Sequence, residues 1–68
     1  MQANELMEII RGSKLSVDYL ADKMGINSAT FYRKLQNPTN SFSVEQASVL
    51  IRELKLSKAD TNRIFFDL

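Results

Sequence analysis

The stretch LSVDYLADKMGINSATFYRKL, residues 15–35, decides the fold of this chain because it holds two helical patterns on either side of a glycine. In the first pattern, Leu20, Ala21 and Met24 fall on one face at helical spacing. Gly25 follows at once, and glycine readily adopts the left-handed conformation in which helices often end. These residues predict a short helix that stops at Gly25.

The second pattern begins after Ile26. Asn27 is a favourable N-cap, and Phe31 and Leu35 lie one turn apart on the face that we expect to be buried. Two helices joined by a short turn that contains glycine form a helix-turn-helix unit, whose second helix is shaped to enter a DNA major groove. We therefore predict this unit here, with its second helix at about residues 28–36.

Similar patterns flank this unit. Apolar residues at helical spacing predict a first helix over residues 3–11, which Gly12-Ser13 should end because glycine tolerates a positive φ. Ser43 begins a sequence with capping-box spacing, so a fourth helix should start there. Ser57 begins a second such sequence, and the helix that follows it should reach Phe65 or Phe66. The chain is therefore expected to be a single all-α domain of five helices, compact and continuous over residues 1–68.

The composition argues against catalysis and secretion. The chain has no cysteine and no histidine, so disulfides are excluded and a zinc site would need carboxylates alone. The eight acids are scattered without metal-ligand spacing, and no glycine-rich phosphate loop is present. We expect no enzymatic activity, no metal and no cofactor. Glu5 and Glu8 stand where a signal peptide would be basic and then apolar, and we expect a cytoplasmic protein with no membrane partner.

The charges are distributed unevenly along the chain. The net charge is only +1, but no acid lies between Asp22 and Glu45. That window contains Lys23, Arg33 and Lys34, so its local charge is +3. A basic patch on one face is typical of domains that contact nucleic-acid phosphates, although a gap of this kind also arises by chance.

The residues LADKMGI at 20–26, followed by SATFYRKL at 28–35, resemble the helix-turn-helix family of Cro and lambda repressor. The segment FYRKLQNP at 31–38, with SFS at 41–43, is similar to small phage-type regulators within that family. The resemblance implies a five-helix, repressor-like bundle with the motif as helices 2 and 3. It also implies a sequence-specific transcriptional regulator that binds double-stranded DNA in a bacterial or phage-infected cell.

The resemblance further implies roles for individual residues. Exposed residues of the third helix and its cap would read bases, and these are Asn27, Ser28, Ala29, Tyr32 and Arg33. Arg33 is the strongest of them, because its guanidinium can donate a bidentate pair to guanine. The start of the second helix and the loop before the fourth would hold phosphates, through Ser16, Lys23, Lys34, Thr39, Asn40, Ser41 and Ser43.

Two departures from the family leave an alternative open. Many family members have glutamine at the position of Val17, where its amide clamps a phosphate, and many have glutamine or arginine at the position of Ser28. The alternative is a protein-binding adaptor or anti-repressor that uses the same helices to modulate another regulator.

The apolar end of the chain is also open to two interpretations. In one interpretation, Ile64 and Phe65 pack in the domain core. In the other, the apolar residues at this end form a homodimer or partner contact, as the resemblance to repressors with a C-terminal dimer helix implies. The group consists of Ile64, Phe65, Phe66 and Leu68. A further possibility is that the chain is the N-terminal domain of a longer repressor.

Overall fold

A computed structural model describes residues 2–36 and 42–66, and it is all-helical with no strand in these ranges. The expectation of an all-α chain of five helices is confirmed. The helices are α1 (Ala3–Gly12), α2 (Val17–Met24), α3 (Ser28–Gln36), α4 (Val44–Leu54) and α5 (Lys58–Thr61), and α5 continues into a π-helical turn over Asn62–Phe66. The predicted phosphate residues Thr39, Asn40 and Ser41, and the predicted contact residue Leu68, lie outside the described residues. No helix in the described ranges is both long and apolar enough to cross a membrane.

The first helix ends differently from the expectation. The helix stops at Gly12-Ser13 as predicted, but Gly12 is the last residue of α1 and does not have a positive φ, so the expected use of a left-handed glycine was wrong. Ser13 follows in an extended conformation, and its hydroxyl donates to the carbonyl of Ile10 at 2.7 Å. The same oxygen accepts from the N–H of Leu15 at 3.1 Å. A serine side chain that satisfies the end of the helix makes a left-handed residue unnecessary.

The turn between α2 and α3 follows the predicted pattern. Gly25 is left-handed, with φ 77° and ψ 24°, and its N–H donates to the carbonyls of Ala21 and Asp22. The next N–H, that of Ile26, also donates to Ala21, at 3.0 Å. Asn27 then caps α3, because its side-chain oxygen accepts from the N–H of Thr30 at 2.8 Å. Only residues 25–27 separate the two helices.

The core is built from residues of all four longer helices and of the C-terminal turn. Its buried members are Leu6, Ile10, Leu20, Ala21, Phe31, Leu35, Leu50 and Ile64. Phe31 is fully buried and stacks at a tilt on Phe42, with 5.0 Å between ring centroids. No polar side chain is buried in the described ranges. Because the buried Phe31 fixes one side of α3 against the core, the opposite side of the helix faces outward.

The fourth helix has the predicted capping box. Ser43 accepts from the N–H of Gln46, and the Gln46 side chain accepts from the N–H of Ser43. At its other end, Lys55 is left-handed with φ 54°, the one non-glycine residue with positive φ in the described part of the chain. Lys55 takes the place that glycine usually fills after a helix, at some cost in backbone energy.

The C-terminal turn packs on α1. The N–H of Gln2 donates to the carbonyl of Ile64 at 2.8 Å, and Arg63 donates to Glu5 at 2.5 Å. Ile64 is fully buried, which agrees with the interpretation that places it in the domain core rather than in a surface contact. Phe65 is partly buried, whereas Phe66 remains 61% exposed.

Candidate nucleic-acid interface

One side of α3 is exposed along its whole length. Ala29, Tyr32, Arg33 and Gln36 are all exposed, and their i, i+3, i+4, i+7 spacing aligns them on one face. We call these four residues the outer face of α3. Three of them were predicted base readers. Gln36 was missed, although its position one turn after Tyr32 is a signal that periodicity could have supplied.

Arg33 is the strongest donor on the outer face. Its Nη2 donates to the hydroxyl of Thr30 at 3.0 Å, one turn earlier on the same helix. This bond holds one side of the guanidinium, while the remaining N–H groups have no partner in the described ranges. Arg33 can therefore still present two parallel donors to a planar acceptor pair.

Tyr32 combines an anchored ring with an accessible hydroxyl. Its ring meets the buried Phe31 edge to face, with 6.2 Å between centroids, and its side chain is 45% exposed. The hydroxyl bonds to nothing in the described part of the chain. A ring fixed by the core and a free hydroxyl suit contact with a phosphate oxygen or a sugar.

The two residues at the start of α3 are already engaged. The Asn27 oxygen caps the helix, and its amide N–H groups are the donors that it can offer for a further contact. The Ser28 hydroxyl donates to Oδ1 of Asp18, which lies in the first turn of α2. Asp18 was not predicted to belong to the interface, because its hydrogen bond with Ser28 depends on how α2 and α3 cross.

Two predicted phosphate residues come together at another place. Lys23, near the end of α2, and Ser43, which caps α4, line one depression of about 240 Å³. Lys23 also lies over the Tyr19 ring, with 5.5 Å from its Nζ to the ring centroid. Glu45 lines the same depression. The site therefore joins a cation, a helix N-terminus and an acid.

The other predicted phosphate residues lie apart from this depression. Ser16 caps α2, where its hydroxyl oxygen accepts from the N–H of Tyr19 at 3.1 Å. Lys34 is half-buried and lies about 100° around α3 from Arg33, on the side away from Ala29 and Tyr32.

A polar link between α2 and α4 borders the interface and was not predicted. The Tyr19 hydroxyl donates to the Glu53 carboxylate at 2.7 Å, and Arg52 lies 3.5 Å from the same carboxylate. The hydrogen bond to Glu53 raises the pKa of Tyr19 above its ordinary value. The same bond, followed by that from Arg52, lowers the pKa of Glu53. The link lies beside Lys23, whose ammonium packs on Tyr19.

Folding changes the charge pattern read from the sequence. The window after Asp22 has no acid along the chain, yet Asp18 contacts Ser28, and Glu45 lines the same depression as Lys23. Acids from outside the window thus border the basic residues within it. The surface therefore carries acids as well as cations.

An apolar groove of about 210 Å³ lies elsewhere, between α4 and the C-terminal turn. It includes the predicted contact residues Phe65 and Phe66, together with Phe42 and Val44. Val44 is 84% exposed at its rim. The groove is lined mainly by apolar side chains, and none of its lining residues lies on α3.

Comparison of the chain with known families, with curated proteins and with solved structures finds no match. The case for a function therefore depends on the residues and geometry of this chain.

Proposed function

We propose that this chain is a sequence-specific DNA-binding transcriptional regulator of the Cro or repressor type, and that α2 and α3 act as its helix-turn-helix. The observation that carries the proposal is the outer face of α3, where Tyr32 and Arg33 are exposed in the second turn of a helix that follows a tight turn. A helix of this size, held from behind by Phe31 and Leu35, fits the width of a major groove. Arg33 reads guanine there.

Phosphate contacts fix the docking. Lys23 and the first turn of α4 approach the DNA backbone on one side of the groove, where the N–H groups of Val44 and Glu45 have no intrahelical partner. A dimer formed through the apolar groove at Phe65 and Phe66 would present two copies of α3 to half-sites roughly 34 to 36 Å apart.

Arg33→Ala and Lys23→Ala test the proposal as a pair. A preferred site is first selected by the purified chain from random duplexes, and affinities are then measured by fluorescence anisotropy over a salt series. Arg33→Ala should relax preference at one base pair, at a cost of about 1 to 3 kcal/mol for the preferred base. Lys23→Ala should weaken binding to all duplexes alike and reduce the salt slope by about one.

Lys58→Ala is the matched control, because Lys58 is an exposed cation at the start of α5 and belongs to neither set. It should leave both the base preference and the affinity close to those of the unchanged chain. A chain that binds no duplex even at low salt would rule out the proposal.

A second candidate, a protein-binding adaptor or anti-repressor, is favoured by the acids beside the cations. Asp18, which contacts Ser28 at the start of α3, and Glu45, which lines the same depression as Lys23, would repel phosphates. Phe66, in the apolar groove, offers a hydrophobic contact. In this case the purified chain would not shift DNA by itself. It would instead form a complex with another regulator and change the DNA affinity of that regulator.

A further inference from the structure

The hydrogen bond between Ser28 and Asp18 determines what the start of α3 can recognise. The Ser28 hydroxyl donates its hydrogen to Oδ1 of Asp18. A hydroxyl has only one hydrogen to donate, so the lone pairs of the Ser28 oxygen are all that it can offer a ligand. Serine by itself is an ambiguous reader, able to donate or accept. Bound to Asp18, it becomes an acceptor.

Asp18 adds a second acceptor at the same place. An ionised carboxylate has no hydrogen to donate, and the side chain of Asp18 is exposed. Its other oxygen, Oδ2, has no partner within residues 2–36 and 42–66. The side chains of Asp18 and Ser28 therefore present acceptors at the first turn of α3, beside the amide N–H groups of Asn27 and the backbone N–H groups at the start of the helix.

This acceptor pair lies at the edge of the outer face of α3. Ser28 comes one turn before Tyr32, so the two side chains lie next to each other on the helix surface. Arg33 is five residues after Ser28, about 7.5 Å further along the helix axis. That separation is about twice the roughly 3.4 Å between base pairs, so a helix that lies along the groove brings the two groups to different base pairs.

In the major groove the available donors are few. Cytosine presents its N4 amino group and adenine its N6 amino group, whereas guanine and thymine present acceptors at these edges. Adenine also has the N7 acceptor beside N6, which would face the second oxygen of the pair. Cytosine has no such acceptor on its own edge. A carboxylate placed against an acceptor would lose its hydration with nothing in return.

We propose that Asp18 and Ser28 form a specificity element that selects cytosine at the base pair facing the start of α3. The inference rests on the proposed function and deepens it, because it assigns a base to a part of the helix that Arg33 does not reach. In this element the Asp18 carboxylate contacts a base instead of only repelling the DNA phosphates. Each half-site contains a cytosine read by the acceptor pair and, at another position, a guanine read by Arg33.

Asp18→Asn tests the element. The probes are duplexes built on the site that the unchanged chain selects, with each base pair varied in turn through all four possibilities. The unchanged chain should favour cytosine at one position by about tenfold or more over guanine and thymine. Asp18→Asn should abolish that preference, because an amide can donate as well as accept, and should leave the guanine preference governed by Arg33 intact. Ser28→Ala should keep the cytosine preference but reduce it, since the carboxylate loses its anchor.

Two results separate the possible failures. If Asp18→Asn strengthens binding to all duplexes by the same factor and leaves every base preference unchanged, Asp18 only repels phosphates and the specificity element does not exist. If the unchanged chain binds no duplex at low salt, the proposed function fails as well. Thermal unfolding followed by circular dichroism checks that the variants are folded, as expected for substitutions at an exposed and a half-exposed position.

Discussion

Gly25 and Gly12 are the two glycines of the chain, and they stand in opposite backbone conformations. Gly25 has a φ of 77°, which most residues with a Cβ adopt only at a cost, whereas Gly12 is an ordinary residue at the end of α1. A Cβ at either position would meet no atom within 4 Å. Any difference between the two glycines is therefore due to backbone conformation and not to crowding.

Gly25→Ala should lower the free energy of unfolding by about 1 kcal/mol, because alanine is strained in the left-handed region. Gly12→Ala is the matched control. It should be neutral or raise the free energy of unfolding by up to about 1 kcal/mol, since alanine restricts the unfolded chain. Urea unfolding followed by far-ultraviolet circular dichroism measures both. Equal losses in the two variants would contradict the conformational explanation.

At the level of elements, α2 packs against both α3 and α4, and the two contacts have different consequences. It packs against α3 through the turn at Gly25, and against α4, to which Tyr19 is linked by its hydrogen bond to Glu53. The first contact sets the direction of the outer face of α3. The second fixes the position of Lys23 relative to the N-terminus of α4, because Lys23 packs on the ring of Tyr19.

Tyr19→Phe should lower the melting temperature modestly, and only within a defined pH range. The pKa of Glu53 is lowered, so the bond stabilises the fold fully at pH values above 4.5, the ordinary pKa of a glutamate. This stabilisation is lost as the pH falls through the lowered pKa. The pKa of Tyr19 is raised, so the stabilisation is fully present at pH values below 10.0, the ordinary pKa of a tyrosine. It is lost as the pH rises through the raised pKa. The difference in melting temperature should therefore be largest near neutral pH and small in acid.

Tyr32→Phe is the control for this variant. The Tyr32 hydroxyl has no partner in the described ranges, so its removal should leave the melting temperature unchanged at every pH. A Tyr19→Phe effect that persists unchanged at pH 3 would show that the bond to the ionised Glu53 is not its source.

For the molecule as a whole, the C-terminal turn closes the core. Ile64 is fully buried against residues from distant parts of the chain, and its carbonyl accepts from Gln2 near the other end. A domain of 68 residues has a total stability of roughly 3 to 10 kcal/mol. The loss of one such side chain is therefore a large fraction of the whole.

Ile64→Ala should lower the free energy of unfolding by about 2 to 5 kcal/mol, through lost burial and the cavity that remains. Phe66→Ala, two residues later, should change it by no more than about 0.5 kcal/mol, because Phe66 is 61% exposed. Chemical denaturation of monomeric protein compares the two. If Phe66 mediates a dimer, Phe66→Ala should also shift the sedimentation coefficient towards that of the monomer. Equal destabilisation by both substitutions would contradict the assignment of Ile64 alone to the core.

The sequence by itself determined the helices, most of their N-caps and the apolar face of the longer ones. Gly25, Asn27 and the capping box at Ser43 act on backbone groups within a few residues, so their effects are local and readable from spacing. The exposed side of α3 follows in the same way from the burial of Phe31 and Leu35. The failure at Gly12 was also local, because a serine cap competed with the left-handed glycine.

Only the tertiary structure decided which side chains from different helices meet. Asp18 reaches Ser28 across ten residues, and Tyr19 reaches Glu53 across thirty-four. Such contacts depend on how helices cross once the core is packed, and no periodicity in the sequence encodes that crossing. The acid-free window indicated a local charge of +3, whereas packing brings Asp18 to the start of α3, where its carboxylate accepts from Ser28.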